Sequence, residues 1–158
     1  VTLRPEWITL NENDIRSVAK RSEIPQVDIV LSSSVYEHLA EVDEITQSLA
    51  ALTKPEGIQL HYVDLRDHFF KYPFEMLCYS KKVWYGWLNP SSNHNRFRVW
   101  DYRKVFERYF NNVNLVVTER NQTAFEAALP RILPEFLSGN LSEDSVTIIK
   151  VIARQPRQ

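Results

Sequence analysis

The sequence predicts an α/β fold with a mostly parallel sheet in three layers, α/β/α, and three observations carry that prediction. Residues 27–31 (VDIVL) are nearly apolar on both faces, as a strand inside a parallel sheet must be. Val42, Ile45, Leu49 and Leu52 recur at helical spacing and place an amphipathic helix over residues 43–53. A second apolar run follows at residues 58–63. Strand, helix and strand joined by a crossover of helical length make the parallel βαβ pattern.

The remaining elements follow in order. Residues 7–10 are a short β-prone stretch, broken by Asn11 to Asn13. Asp14 is placed to cap a helix running to Lys20, and Pro25 closes that region. Three serines, Ser32 to Ser34, end the first buried strand. Lys54, Pro55, Glu56 and Gly57 stop the helix and make a turn. Residues 64–100 hold ten aromatic side chains, far more chain than a simple connection needs, and read as a cap or lid. Those rings either line a ligand pocket or form the core of the cap itself. Asp101 then caps a helix with Tyr102, Val105, Phe106 and Tyr109 on its core face. Residues 113–119 alternate as a strand. Phe125, Leu129, Leu133 and Phe136 line a helical stretch interrupted by Pro130 and Pro134. Residues 146–153 close the fold, and the last two strands pair as an antiparallel hairpin that carries the helical insertion.

Composition narrows the function. A chain of 158 residues with 44% hydrophobic and 25% charged residues suits one globular domain. The formal net charge of -1 gives no general attraction to nucleic acid. No apolar run approaches the ~20 residues of a membrane span. Cys78 stands alone, which excludes an internal disulfide, and with no signal-peptide pattern at the start a cytoplasmic setting is expected. The only glycines, Gly57, Gly86 and Gly139, are far apart. A glycine-rich loop able to bring backbone N–H groups against a phosphate is therefore missing.

Four segments, in order, resemble class I S-adenosylmethionine-dependent methyltransferases of the type 11 kind. VDIVLSSSVYEHL at 27–39 resembles the family's strand-four signature, an Asp-apolar run ending in Ser and followed by Glu-His. LTKPEG at 52–57 resembles the Leu-Lys-Pro-Gly-Gly turn before strand five, with Glu56 in place of the first glycine. DYRKVFERYF at 101–110 resembles the helix before strand six, and WITLNENDI at 7–15 resembles strand three with its acidic loop. The resemblance implies a Rossmann-like sheet of strand order 3-2-1-4-5-7-6 and S-adenosyl-L-methionine as methyl donor. The family's strand one, Gly-x-Gly loop and acidic strand two have no counterpart, since only six residues precede Trp7. The expectation is thus a single partial domain over residues 1–158, truncated and inactive alone, with an incomplete sheet. Either a gap remains between strands three and four, or strand three docks directly on strand four.

The resemblance also assigns candidate residues. Asp14 sits where an acid would accept a bond from the adenine amino group, or it is a plain helix cap. Ser32 and Ser33, at the strand exit, would touch the cofactor's methionine part, or they form a polar turn. Glu37 and His38 fall near the active-site floor. His38 has the intrinsic pKa of a general base, although a hydrogen bond that fixes the loop is the plainer role. His61 and Asp64 are candidates to orient or deprotonate the acceptor. His61, Asp64, Asp67 and His68 lie close in sequence, but strand alternation separates them, and no metal is expected. Arg96, Arg98 and Arg103 would pair an anionic acceptor, or form a solvated face. The acceptor is taken as a small molecule, with neither nucleic acid nor membrane as partner, and an open strand edge makes self-association a hazard. The rival reading is a non-catalytic binding or partner domain derived from the same fold.

Overall fold

The computed structural model describes residues 8–21, 24–89 and 91–157. Its elements are α1 (Ile15–Arg21), β1 (Val27–Ser33), α2 (Val42–Leu52), β2 (Thr53–Asp64), α3 (Lys81–Val83), α4 (Val99–Tyr109), β3 (Phe110–Arg120), α5 (Gln122–Ala128), α6 (Leu141–Asp144) and β4 (Val146–Pro156). The fold is α/β, with a four-stranded sheet in the order β1-β2-β4-β3. β1 runs parallel to β2, with Ile29 beside Ile58 and Leu31 beside Leu60. β4 is antiparallel to both of its neighbours, and β3 pairs with it through Val113–Ala153 and Leu115–Val151. The predicted βαβ unit and terminal hairpin are present. The sheet is mixed rather than mostly parallel, because β4 enters between β2 and β3 and contributes both antiparallel pairings.

Alternation decides which side of the sheet is covered. Gln59, His61 and Val63 on β2 and Ile149, Val151 and Ala153 on β4 point to one face and are buried. Val42, Thr46 and Ala50 of α2 and Tyr102, Val105 and Phe106 of α4 bury against that face. Residues one step out of phase face the other way. There Ile58, Leu60, Ile148 and Ile152 are half-buried, and Ile29 and Leu31 are 62% and 68% exposed. Both sheet-packing helices thus make one layer, α1 packs on α2, and the layer predicted on the opposite face does not appear among the described residues.

Three local expectations are corrected. Trp7 lies outside the described residues, and Ile8 and Leu10 are exposed without strand structure, so β1 is a sheet edge among the described residues. Thr53 leaves α2 directly in extended conformation, and Lys54–Gly57 form an irregularity within β2 rather than a free turn. A Cβ at Gly57 would lie 2.8 Å from the Thr53 side chain and 3.0 Å from the Asp28 carbonyl, so the close approach of β1 demands glycine. Helix α4 starts one turn early. Arg98 is its N-cap, and Asp101 sits at the third position, accepting from the Arg98 N–H at 2.9 Å.

The aromatic segment contributes to a second hydrophobic cluster, separate from the one on the sheet, and shares it with the β3–β4 connection. β2 and β3 point the same way, so residues 65–98 and 121–145 emerge at the same end of the sheet. Phe74, Met76, Leu77 and Trp84 of the cap pack with Phe125, Ala128, Ile132 and Phe136 of the β3–β4 connection. Rings such as Trp84 and Phe74 are therefore structural, each stabilising the cap by roughly 1.5–3 kcal/mol. Arg98 bolts this layer to the sheet. It is wholly buried and donates to the carbonyls of Leu65 (3.3 Å), Asp144 (2.8 Å) and Val146 (2.8 Å).

Candidate functional site

Ligands in open α/β sheets bind beyond the carboxyl ends of parallel strands. Here those ends are Ser33 of β1 and Asp64 of β2, roofed by the cap. Three loops bring side chains to this place: the turn after β1, the loop after β2, and the extended segment before α4. They deliver His38, His68 and His94 into one cluster. The ring centroids lie 5.1 Å apart for His38 and His68, 5.3 Å for His38 and His94, and 4.5 Å for the stacked pair His68 and His94.

Asn95 fixes the geometry from below. Its side-chain amide donates to the carbonyls of Tyr36 (2.8 Å) and Leu39 (3.0 Å), while its oxygen accepts from the Tyr102 hydroxyl at 3.2 Å. Its backbone N–H donates to the Glu37 carbonyl at 2.7 Å. The loop after β1 is thereby tied to the segment carrying His94.

Polar groups inside the cluster are short of partners. Both carboxyl oxygens of Glu37 and both ring nitrogens of His94 are buried without a hydrogen bond. Burial raises the Glu37 carboxyl above its ordinary value. Burial, helped by the neighbouring His68 and His38, pushes His94 down to about 4. One oxygen of Asp67 is also buried and unpartnered, and its other oxygen accepts from the N–H groups of Phe69 (2.7 Å) and Phe70 (2.8 Å).

Asp64 differs from these acids. Burial alone would raise it, but Arg66 outweighs burial and holds the carboxyl below the usual range. Arg66 donates from its backbone N–H and Nε to Oδ1, each at 2.9 Å, and from Nη2 to Oδ2 at 2.6 Å. His68 Nε2 lies 3.4 Å from the same Oδ2. Asp64, Arg66, Asp67, His68, Lys71 and Glu119 line an open cleft of about 400 Å³.

The other candidates are placed as follows. His61 is fully buried on the helix-covered face, and burial pushes it to about 4. The Gln59 amide nitrogen donates to Thr53 at 2.7 Å, leaving its oxygen, 3.0 Å from His61 Nε2, to accept from the ring. His61 Nδ1 then accepts from Ser32 Oγ at 2.8 Å. His61 and Ser32 thus satisfy each other inside the sheet. Ser33 is exposed beside Tyr62, and Ser34 takes a left-handed φ of 54° to turn the chain. Asp14 caps α1, accepting from the Arg16 N–H at 2.9 Å, and Arg16 bridges it to Glu41 and Glu44 at the start of α2. His38 Nδ1 is 3.3 Å from the Ser92 carbonyl.

Arg96 and Arg98 spend their guanidinium groups on backbone carbonyls, Arg96 on those of Met76 and Tyr79, and Arg103 is exposed on α4. Among the described residues no three His, Cys, Asp or Glu side chains are arranged to hold a metal ion. Nor is any helix of the described residues long and apolar enough to cross a membrane.

Sequence reasoning missed His94 and Asn95, and considered His68 only as part of a metal set that it did not expect. The available signal was positional. Three of the chain's four histidines fall in segments that meet at one end of the sheet.

No protein-family model and no curated protein matches the chain. Solved structures do. One is phosphoethanolamine N-methyltransferase 2 of Haemonchus contortus in complex with S-adenosyl-L-methionine (TM-score 0.45, 12% identity, 82% of this chain and 33% of that one). A second holds the same enzyme with phosphomonomethylethanolamine and S-adenosylhomocysteine (TM-score 0.46, 13% identity, 82% and 34%). A third is a possible exported protein from Bordetella parapertussis (TM-score 0.49, 15% identity, 94% and 44%). The chain spans about a third of the length of the methyltransferase structures it is similar to.

Proposed function

We propose that this chain is the acceptor-side portion of an S-adenosylmethionine-dependent methyltransferase, and that its histidine cluster faces a small-molecule methyl acceptor. The observation that carries this reading is the strand order with its directions: two parallel strands, then an antiparallel final strand inserted before the preceding one. That is the 4-5-7-6 half of the sheet implied by the motifs at 27–39 and 52–57. The Glu-His pair of the first motif lies in the cluster beyond the β1 tip.

The residues present do not fit the whole cofactor. Ser32 is committed to His61, Asp14 to its own helix and Arg16, and no glycine-rich cradle adjoins β1. The chemistry attributed to this chain is therefore on the acceptor side: positioning a hydroxyl or amine and taking up its proton. His61 has no free nitrogen for that task, and His38 and His68 do.

The test is a titration of the ¹⁵N-labelled chain with S-adenosylmethionine, followed by amide shifts. The expected result is weak binding, with Kd above about 0.1 mM, and shifts centred on Ser33 and Ser34 past the β1 tip, with Asp14 unmoved. Absence of any shift at millimolar cofactor, or shifts centred elsewhere, would overturn the assignment.

One observation favours the second reading, a partner domain: the exposed sheet face around Ile29 and Leu31, beside β1, which is a sheet edge among the described residues. Soluble monomers seldom leave such a face and edge uncovered together.

A further inference from the structure

We infer that His68 is the proton-accepting residue of the acceptor site, with Nδ1 as the accepting atom and Asp64 as the residue that positions it. This rests on the acceptor-side reading above and adds the identity of the base.

Geometry separates His68 from the other three histidines. His61 and His94 are buried, and His38, whose Nδ1 is turned to the Ser92 carbonyl, is not among the residues that line the cleft beside Asp64. His68 is a third exposed at its side chain and lines the cleft. Its Nε2 lies 3.4 Å from the Asp64 carboxylate, a charge contact rather than an aligned hydrogen bond, while no hydrogen bond among the described residues occupies its Nδ1. A carboxylate beside one ring nitrogen draws the proton to that nitrogen and leaves the other as a lone pair, the logic by which an acid orients a catalytic imidazole. Asp64 is fit for that part because Arg66 keeps it ionised. The ring of His94, stacked on His68 with centroids 4.5 Å apart, restrains it without offering it a charge.

The step balances simply. The acceptor's O–H or N–H bond breaks, its electron pair stays on the oxygen or nitrogen, and the proton joins His68 Nδ1. The resulting imidazolium is stabilised by Asp64. The charged or titratable groups around His68 are Asp64, Arg66, Asp67 and Lys71 on its own loop, Glu37 and His38 after β1, His94 before α4, and Glu119 on β3.

The experiment is a long-range ¹H–¹⁵N titration of the imidazole rings in the chain itself, with assignments from His68→Gln. Neutral His68 should be the Nε2–H tautomer. Asp64→Asn should release that preference into a mixture of both tautomers, whereas Arg66→Gln, which leaves the carboxylate in place, should keep it. The second variant keeps the result interpretable if the first is less stable. An Nδ1–H tautomer in the native chain, or an Nε2–H preference untouched by Asp64→Asn, would overturn the proposal. The measurement needs no cofactor, so its failure is distinct from failure of the methyl-transfer reading.

Discussion

His94 and His61 each stay uncharged at neutral pH because burial pushes both rings to about 4 from an ordinary 6.5. A folded-state value below the unfolded one gives stability that is present above pH 6.5 and is lost as pH falls toward 4. The chain should therefore weaken on mild acidification, by on the order of 2 kcal/mol per ring over that window. Urea unfolding at pH 7, 5.5 and 4.5 measures it, and His94→Gln should remove about half of the slope. Glu37 acts with the opposite sign. Its folded value is raised, so its cost is absent below the ordinary carboxylate range and grows as pH rises through the folded value. Glu37→Gln should raise stability at pH 7 by about 1 kcal/mol and change nothing at the acid end. A loss of stability at pH 7 would mean that Glu37 has a charged partner. Residue identity alone did not disclose these roles. The sequence shows that His38 follows a strand and that His61 alternates with Val63. Whether a ring nitrogen is free depends on groups 29 residues away (the Ser32 hydroxyl) or 54 residues away (the Ser92 backbone carbonyl).

Among the elements, α2, β2, β3 and β4 were legible because period and burial agree, and the antiparallel end followed from chain order; β1 was legible as a strand, but the burial on both faces expected of it is absent, since Ile29 and Leu31 lie exposed. The start of α4 was not. Asp101 looked like a first cap, but Arg98 takes that position because its side chain is drawn inward to three carbonyls of the cap and β4. A long-range demand of this kind leaves no local pattern. The same holds at residues 54–57, where Lys-Pro-Glu-Gly has turn chemistry yet is held within β2 by its contact with β1. Gly57→Ala tests that contact. The added methyl meets the Thr53 side chain and two backbone carbonyls, so strand β1 must shift, at a cost of about 1–3 kcal/mol in thermal or urea unfolding. Gly86→Ala, where a Cβ meets nothing within 4 Å, is the control and should have little effect.

At the scale of the molecule, β1 is a sheet edge among the described residues, and with the apolar face beside it makes a second copy of the chain a well-matched occupant. Antiparallel pairing of two β1 strands centred on Val30 sets Ile29 against Leu31 of the other copy and Asp28 against Ser32. No like charges then oppose each other, and the two bare faces join into one. Lys54, which pairs Asp28 at 2.9 Å, neutralises the acid nearest the seam. A single strand pair buries little area, so the dimer should be weak, with half-association near about 0.1 mM of chain. Sedimentation equilibrium across that range should show a monomer–dimer equilibrium. Leu31→Lys places a charge on the exposed face without touching the buried one, and should shift the chain to monomer while leaving its unfolding unchanged. A monomer at all concentrations would rule out pairing of β1 between copies. A dimer indifferent to Leu31→Lys would place the contact on another surface.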